Sequence, residues 1–360
     1  MCHAVNVSAD ELAERVFNAT IQTLELYGIY LGKRLGLYQA LKAHGAMTPA
    51  GLATTAGIAE RYAREWLEQQ AVAGFIQVDG GNGDARTRRY RLPDEHIRVL
   101  AEDEHPAHVS PFAQMVVGIA GALPQVVEAY RSGSGVAYEQ YGADFRHGQG
   151  GINRPAFVHD LTGAWLPAVS DLHARLSTTP GSRIADVGCG EGWSTIALAQ
   201  AYGQAEVIGY DLDQASVTEA AANAKAKGVS ARFECKDAAR MADDGPFDLI
   251  LVLETLHDMS RPAAALTALR QALKPDGAVI VADERVSESF VAPGDAVERM
   301  MYGWSVSHCL PVAMADQPSE ATGTAIRPET VQRCAQTAGF DSFEILPIEN
   351  DLFRFYRLQG

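Results

Sequence analysis

Paired cysteines are missing from this chain of 360 residues. The five present, Cys2, Cys189, Cys235, Cys309 and Cys334, are odd in number and widely scattered. No pair has the close spacing of a zinc or redox motif, so free thiols in a reduced, cytoplasmic protein are expected. A long uncharged apolar run is missing too. The most apolar stretch, Met115–Val127, is short and interrupted by Gly118, Gly121 and Pro124, and mean hydropathy is -0.08. No membrane span or membrane partner is expected from it. Met1–Asp10 lacks a basic region followed by an apolar core, so no secretion signal is expected there. Positive charge is scarce: 30 Lys and Arg against 45 Asp and Glu, a net charge of -15. Such a surface repels nucleic acid and anionic membrane outside local basic patches. Repeats and low-complexity segments are absent. With 47% hydrophobic residues the chain is not wholly disordered, and its length suits two domains.

The first hundred residues read as helices followed by a hairpin. Leu12–Leu41 carries Leu12, Val16, Ala19, Leu24 and Ile29 at helical spacing. Thr48-Pro49 is an N-cap followed by proline at the first helical position. A further helix is expected over Glu60–Ala73, ended by Gly74. Phe75–Val78 and Arg88–Leu92 read as short strands joined by the glycine-rich Asp79–Asp84. Helix, turn, helix and hairpin outline a winged helix. Its second helix holds Arg61 and Arg64 beside Glu60, Glu65 and Glu68, a face that opposes phosphates. The hairpin, with Arg86, Arg88, Arg89 and Arg91, is the one basic spot. A nucleic-acid partner is therefore not expected, although a ligand-sensing winged-helix regulator is the competing class.

Residues 106–170 read as a mainly helical bridge with glycine-rich loops at Gly133–Gly135 and Gly148–Gly151. Tyr138, Tyr141, Phe145, Phe157, His159 and Trp165 are candidates there for a pocket wall or for interdomain packing. From Ser182 strands and helices alternate. Strands are expected at Arg183–Val187, Glu206–Tyr210, Ala231–Cys235, Phe247–Leu253 and Ala278–Ala282, with helices at Trp193–Tyr202, Ala215–Lys227 and Pro262–Leu273. This is a Rossmann-like, doubly wound α/β sheet. A last helix, Pro328–Ala338, precedes strands Phe343–Ile348 and Leu352–Leu358. Two strands that close together must form an antiparallel hairpin, giving seven strands in all. The domains are expected at 1–105, 106–170 and 171–360.

Asp186-Val-Gly188-Cys189-Gly190-Glu-Gly192 lies between a strand and a helix. Gly188 and Gly190 permit a tight turn and close approach of a ligand. The third glycine comes one residue too early for a dinucleotide fingerprint, and an acid precedes the first. That suits a ligand without pyrophosphate and with a cationic amine near Asp186. Asp211 ends the second strand, where a carboxylate can accept ribose hydroxyls. Asp237 ends the third strand and can take an adenine amino group, with Leu212 and Ala238 placed to sandwich the ring. Each acid alone would ordinarily be a solvated loop residue or a helix cap. Three at successive strand ends point to one crevice, to which Glu254 at the fourth is added.

These residues resemble the class I S-adenosylmethionine-dependent methyltransferases over Leu172–Gly360. The N-terminal segment resembles the winged-helix domain of a bacterial methyltransferase subfamily, through Tyr30–Tyr38, Glu60–Gln70 and Ala321–Thr324. The resemblance implies S-adenosylmethionine as cofactor, S-adenosylhomocysteine as product, a small-molecule acceptor and a homodimer.

Methyl transfer requires an aligned acceptor, exclusion of water and, for a hydroxyl, removal of a proton. His257, in Glu254-Thr-Leu-His257-Asp258-Met259, follows the fourth strand, where an imidazole can act as general base. Asp258 or Glu284 is expected to orient it. The segment is similar to the Leu-His-Asp-Trp segment of plant-type small-molecule O-methyltransferases, in which that histidine is the base, with Met259 here in place of the tryptophan. Packing against the next helix is the alternative for His257. His308, in the insertion after the fifth strand, offers a second arrangement. His257, Asp258 and His308 would bind iron or zinc and polarise a 2-oxo acid for methylation at carbon, as in some similar methyltransferases. Otherwise His308 is a buried histidine with one backbone partner. Phe157, Tyr302, Trp304 and His308 are the expected acceptor-pocket residues.

Overall fold

The computed structural model describes residues 7–80 and 83–360. Cys2, the first six residues of the Met1–Asp10 segment, and Gly81 and Asn82 of the hairpin linker lie outside them. The chain forms two compact units, Met1–Val117 and Gly118–Gly360.

The first unit begins with α1 (Ala9–Arg34), opened by a capping box between Ser8 and Glu11. The single helix expected through Leu41 is two, because Gly36 adopts a left-handed conformation (φ 66°) between α1 and α2 (Leu37–His44). α3 (Pro49–Ala56) is capped by the Thr48 hydroxyl, and α4 spans Glu60–Val72. Strands β1 (Gln77–Asp79) and β2 (Arg89–Arg91) pair antiparallel through Val78 and Tyr90. α5 (Asp94–Leu100) is absent from the sequence expectation: about two turns with a single fully buried residue carry little periodicity. Tyr38 packs edge-on against Trp66 at 5.1 Å, and the Trp66 indole N–H donates to the Gly28 carbonyl at 2.9 Å. The Tyr30–Tyr38 and Glu60–Gln70 signatures are thus core-packing sequences. In the basic hairpin Arg88 pairs with Glu68 at 3.2 Å and Arg89 with Asp79 at 3.9 Å, and on α4 Arg61 pairs with Glu65. Along α1, Leu12, Val16, Phe17, Leu24 and Leu31 are exposed.

α6 (Pro111–Ser132) contains the division between the units. It passes through Gly118, Gly121 and Pro124 unbroken. Among the described residues it is one helix long and apolar enough to cross a membrane by length and composition. Its Ala113, Met115, Ile119, Ala122, Val126 and Ala129 are buried, as on the inner face of a protein helix. α7 (Gly142–Ala156) takes up the expected Gly148–Gly151 loop. A π-helical segment, Phe157–Trp165, leads to α8 (Leu166–Ala168) and α9 (Ser170–Thr178).

The sheet then alternates with helices: β3 (Arg183–Val187), α10 (Trp193–Ala201), β4 (Glu206–Asp211), α11 (Gln214–Ala226), β5 (Arg232–Cys235), β6 (Phe247–Leu253), α12 (Pro262–Gln271) and β7 (Leu273–Glu284). After α13 (Ala296–Trp304), a π-helical segment at Ser305–Cys309, α14 (Leu310–Ala313) and α15 (Pro328–Ala338), β8 (Ser342–Ile345) and β9 (Phe353–Gln359) close the chain. The order is β5-β4-β3-β6-β7-β9-β8, with β9 antiparallel to both its neighbours. All seven residues of β6 are buried, which is why that strand reads as a continuous apolar run. The order reverses at β3, so ligands are expected beyond the carboxyl ends of β3, β4 and β6.

Candidate active site

β3 delivers the chain into a turn bonded to the end of β4. The N–H groups of Gly188 and Cys189 both donate to the Tyr210 carbonyl, at 2.7 and 3.0 Å. Gly188 and Gly190 have φ of 74° and 51°, a region costly for residues with a Cβ. A Cβ on Gly188 would overlap Thr255, whereas one on Gly190 would meet nothing within 4 Å. The second glycine therefore faces open space while the first is enclosed. Gly192 caps the start of α10 and packs on Ala220 and Phe233. Cys189 is buried, and burial pushes its thiol well above the usual range.

The Asp211 carboxylate is clamped at both oxygens. Gly190 N–H donates to Oδ2 at 2.8 Å and Asp213 N–H to Oδ1 at 2.9 Å. Burial raises its pKa to about 6. Each oxygen retains a lone pair for a further donor. The other acids are placed differently. Asp186, 1% exposed, accepts from the hydroxyls of Ser194 and Thr195, both at 2.6 Å. These bonds tie β3 to α10. Asp237 accepts from Ala239 N–H and caps the turn Ala238–Arg240. Leu212 is 65% exposed and Ala238 is buried.

The second half of the site gathers four segments. His257, 3% exposed, sits in the turn after β6. Its Nδ1 lies 2.6 Å from Asp283 Oδ1, and its Nε2 lies 3.3 Å from Asp258 Oδ1. Asp283, at the end of β7, is therefore the carboxylate on Nδ1, while of the two expected partners Asp258 lies on the Nε2 side and Glu284, among the described residues, makes no hydrogen bond to the ring. Two adjacent acids end β7, and their order along the pleat decides which one faces His257. Burial alone would lower the His257 pKa, but the carboxylates of Asp283 and Asp258 outweigh it and raise it well above the usual value. Burial lifts Asp258 to about 6 and Glu254 to about 7, and raises Glu284 well above the carboxylate range. Glu254 has φ 53°, strained backbone of the kind concentrated at functional sites.

His308 lies on the π-helical segment after α13. Its ring stacks on Phe145 at 3.9 Å and meets Tyr141 edge-on at 4.4 Å. Burial, then the charge of His257, lowers its pKa to about 3, so the ring is neutral. The donors that converge with His257 and Asp258 are completed by Cys309, within 4.8 Å, and not by His308, which is turned toward the aromatic rings. Burial raises the Cys309 thiol to about 12. The Ala321–Thr324 signature supports this segment: Gly323 (φ 68°) packs under Ser305 and Leu310. Phe157 packs against Trp165 in the core on one face of the sheet, a correction to its expected pocket role. Tyr302 is 36% exposed beside Phe290 and Arg327, and Trp304 is half-buried.

A doubly wound sheet with a glycine turn after β3 and an acid clamped after β4 is the architecture in which such sheets bind ligands, at the carboxyl ends of the strands where their order reverses. A family model described as a methyltransferase domain matches residues 184–277, and one described as an Rv2258c-like winged HTH domain matches residues 25–102. The chain is 36% identical over 124 residues to a ubiquinone biosynthesis O-methyltransferase of Nitrosococcus oceani, covering 34% of this chain and 50% of that protein. It is 29% identical over 191 residues to the protein of the same name from Burkholderia pseudomallei, covering 52% and 75%. The chain spans about half the length of the first of these curated relatives. Human N-acetylserotonin methyltransferase, solved with S-adenosylmethionine, superposes with a TM-score of 0.65 at 18% identity, covering 100% of this chain and 99% of that one. PigF, solved with S-adenosylhomocysteine, gives 0.68 at 16%, covering 96% and 99%. The chain thus carries a segment matching a methyltransferase domain and one matching a winged HTH domain, and it shares the fold of these two solved methyltransferases.

Proposed function

We propose that this enzyme methylates a hydroxyl oxygen of a small molecule, with His257 as the proton acceptor. The observation that carries the reading is the buried Asp283–His257 pair, 2.6 Å apart at Nδ1. A carboxylate at Nδ1 fixes the ring and leaves Nε2 as the atom that takes a proton. The open space beside Gly190 and the clamped Asp211 fit the nucleoside of the cofactor. Bound there, S-adenosylmethionine supplies a methyl group already activated on sulfur. The chain's own residues hold the acceptor, exclude water and receive its proton. Phe145, Tyr138, Tyr141 and the neutral His308 form an aromatic cluster near His257, which suits a planar apolar acceptor.

The experiment is a transfer assay with labelled S-adenosylmethionine against a panel of phenols and alcohols, using chelator-treated wild type and His257→Ala. Loss of about 100-fold or more in turnover is expected for the variant. Equal turnover would rule His257 out as the base.

The convergence of His257, Asp258 and Cys309 favours a second reading, in which a zinc- or iron-class ion polarises a chelating acceptor such as a 2-oxo acid. Metal content of wild type and Cys309→Ser separates the two. A near-stoichiometric ion lost in the variant supports the metal reading, and metal-free active protein excludes it. The exposed apolar face of α1 supports a homodimer through the winged-helix unit. The free thiols Cys189, Cys235, Cys309 and Cys334 suit a cytoplasmic setting. The paired arginines around the hairpin give no support to a regulator that reads nucleic acid.

A further inference from the structure

α7 contacts the loops at the carboxyl edge of the sheet one after another. Arg146 Nε lies 3.5 Å from Asp213, and His147 Nδ1 lies 2.5 Å from Glu191. Gln149 donates to Glu254 at 3.3 Å, Asn153 bonds the same carboxylate, and the Arg154 guanidinium lies 3.9 Å over the Trp193 ring. These partners belong to four places: the loop after β4, the glycine turn after β3, the end of β6 and the first residue of α10. Gly150 is what permits the approach, since a Cβ there would lie 2.8 Å from Glu191 Cδ. The glycines that read as a loop in the sequence are thus a close helix contact.

Two of these contacts act on one carboxylate. Asp213, held by Arg146, provides the N–H that binds Asp211 Oδ1. Glu191, held by His147, directly follows Gly190, whose N–H binds Asp211 Oδ2. We propose that Arg146 and His147 are positioning residues for the cofactor, fixing from α7 the two N–H groups that aim the Asp211 carboxylate at the ribose. The inference rests on Asp211 being the ribose-binding acid.

His147 also makes the clamp sensitive to pH. Hydrogen bonding to Glu191 raises its pKa above 6.5, against the effect of burial, while the charges of Glu191 and Glu219 raise it and Arg146 lowers it. The ring is charged, and the pair intact, below that raised pKa. The pairing is lost as pH rises through it.

The test is calorimetric titration of the full chain with S-adenosylhomocysteine, from about pH 6 to about pH 9, for wild type, Arg146→Ala, Arg146→Lys, His147→Gln, Gly150→Ala and Asp211→Ala. Arg146→Ala and His147→Gln are expected to weaken binding about fivefold each, with Arg146→Lys partly restored. Gly150→Ala should weaken it as well, by displacing the Glu191 carboxylate without removing a charge. Wild-type affinity should decline as pH rises above neutral, and His147→Gln should lose that decline. If Asp211→Ala weakens binding while the α7 variants change only the melting temperature, the contacts serve folding alone and the proposal fails. If Asp211→Ala binds as wild type does, the ribose assignment itself is wrong.

Discussion

The proposed cofactor end and the proposed acceptor end of the site lie beyond the same sheet edge, yet they are built in opposite ways. At the cofactor end, backbone does the work. Two left-handed glycines, the Tyr210 carbonyl and the N–H groups of Gly190 and Asp213 set the shape. At the acceptor end, side chains do it. His257, Asp283, Asp258, Cys309, His308 and Phe145 come from four separated segments, and Asp258 Oδ1, Asp283 Oδ2, Glu284 Oε2 and His308 Nε2 are buried without a hydrogen-bond partner. Backbone shape demands particular residues at fixed spacing and binds one cofactor class. A cluster of buried polar side chains is specific to its own acceptor, because a buried polar group left unmatched is costly.

The sharpest separation of the two ends is His257→Ala. It should reduce turnover by about 100-fold or more while leaving S-adenosylhomocysteine affinity unchanged in calorimetry. A parallel loss of affinity would mean that the two ends are not distinct. Within the cofactor end, Gly188→Ala should cost about 1–3 kcal/mol of stability through its positive φ and the collision with Thr255, read as a lower denaturant midpoint. Asp211→Ala should weaken S-adenosylhomocysteine by about 1–3 kcal/mol. Because burial holds the Asp211 pKa near 6, and the carboxylate is the form that accepts the ribose, wild-type affinity should also fall as pH drops through about 6. At the acceptor end, the base must be neutral to take a proton. Its raised pKa therefore makes turnover rise with pH above neutrality, and Asp283→Asn should move that rise to lower pH. The smallest effect on either end is expected from Leu24→Glu on the exposed face of α1. It should convert a dimer to monomer in sedimentation while leaving cofactor affinity intact.

The same contrast governs what could be read from the chain beforehand. The glycine turn, Asp211 and the alternation of strands were legible because each follows from local geometry: a tight turn needs glycine, and a strand buried on both faces is continuously apolar. The antiparallel β8–β9 hairpin was legible because the three residues between the expected strands cannot carry a parallel crossover. What failed depended on packing at a distance. Gly150 reads as loop until Glu191 is known to lie against it. Asp283 and Glu284 are indistinguishable as partners of His257 until the pleat of β7 is fixed. The same holds for His308 and Cys309, adjacent residues of which only the second meets Asp258 and His257. Phe157 was assigned to the pocket by its type, and nothing local marks it as core.

The most direct measurement is the binding of S-adenosylhomocysteine to wild type and to Gly190→Val, with circular dichroism to show that the variant is folded. A side chain at position 190 would enter space that the protein itself leaves free. The account predicts one equivalent bound by wild type and none by the variant. Failure of wild type to bind, or equal binding by folded Gly190→Val, would contradict it.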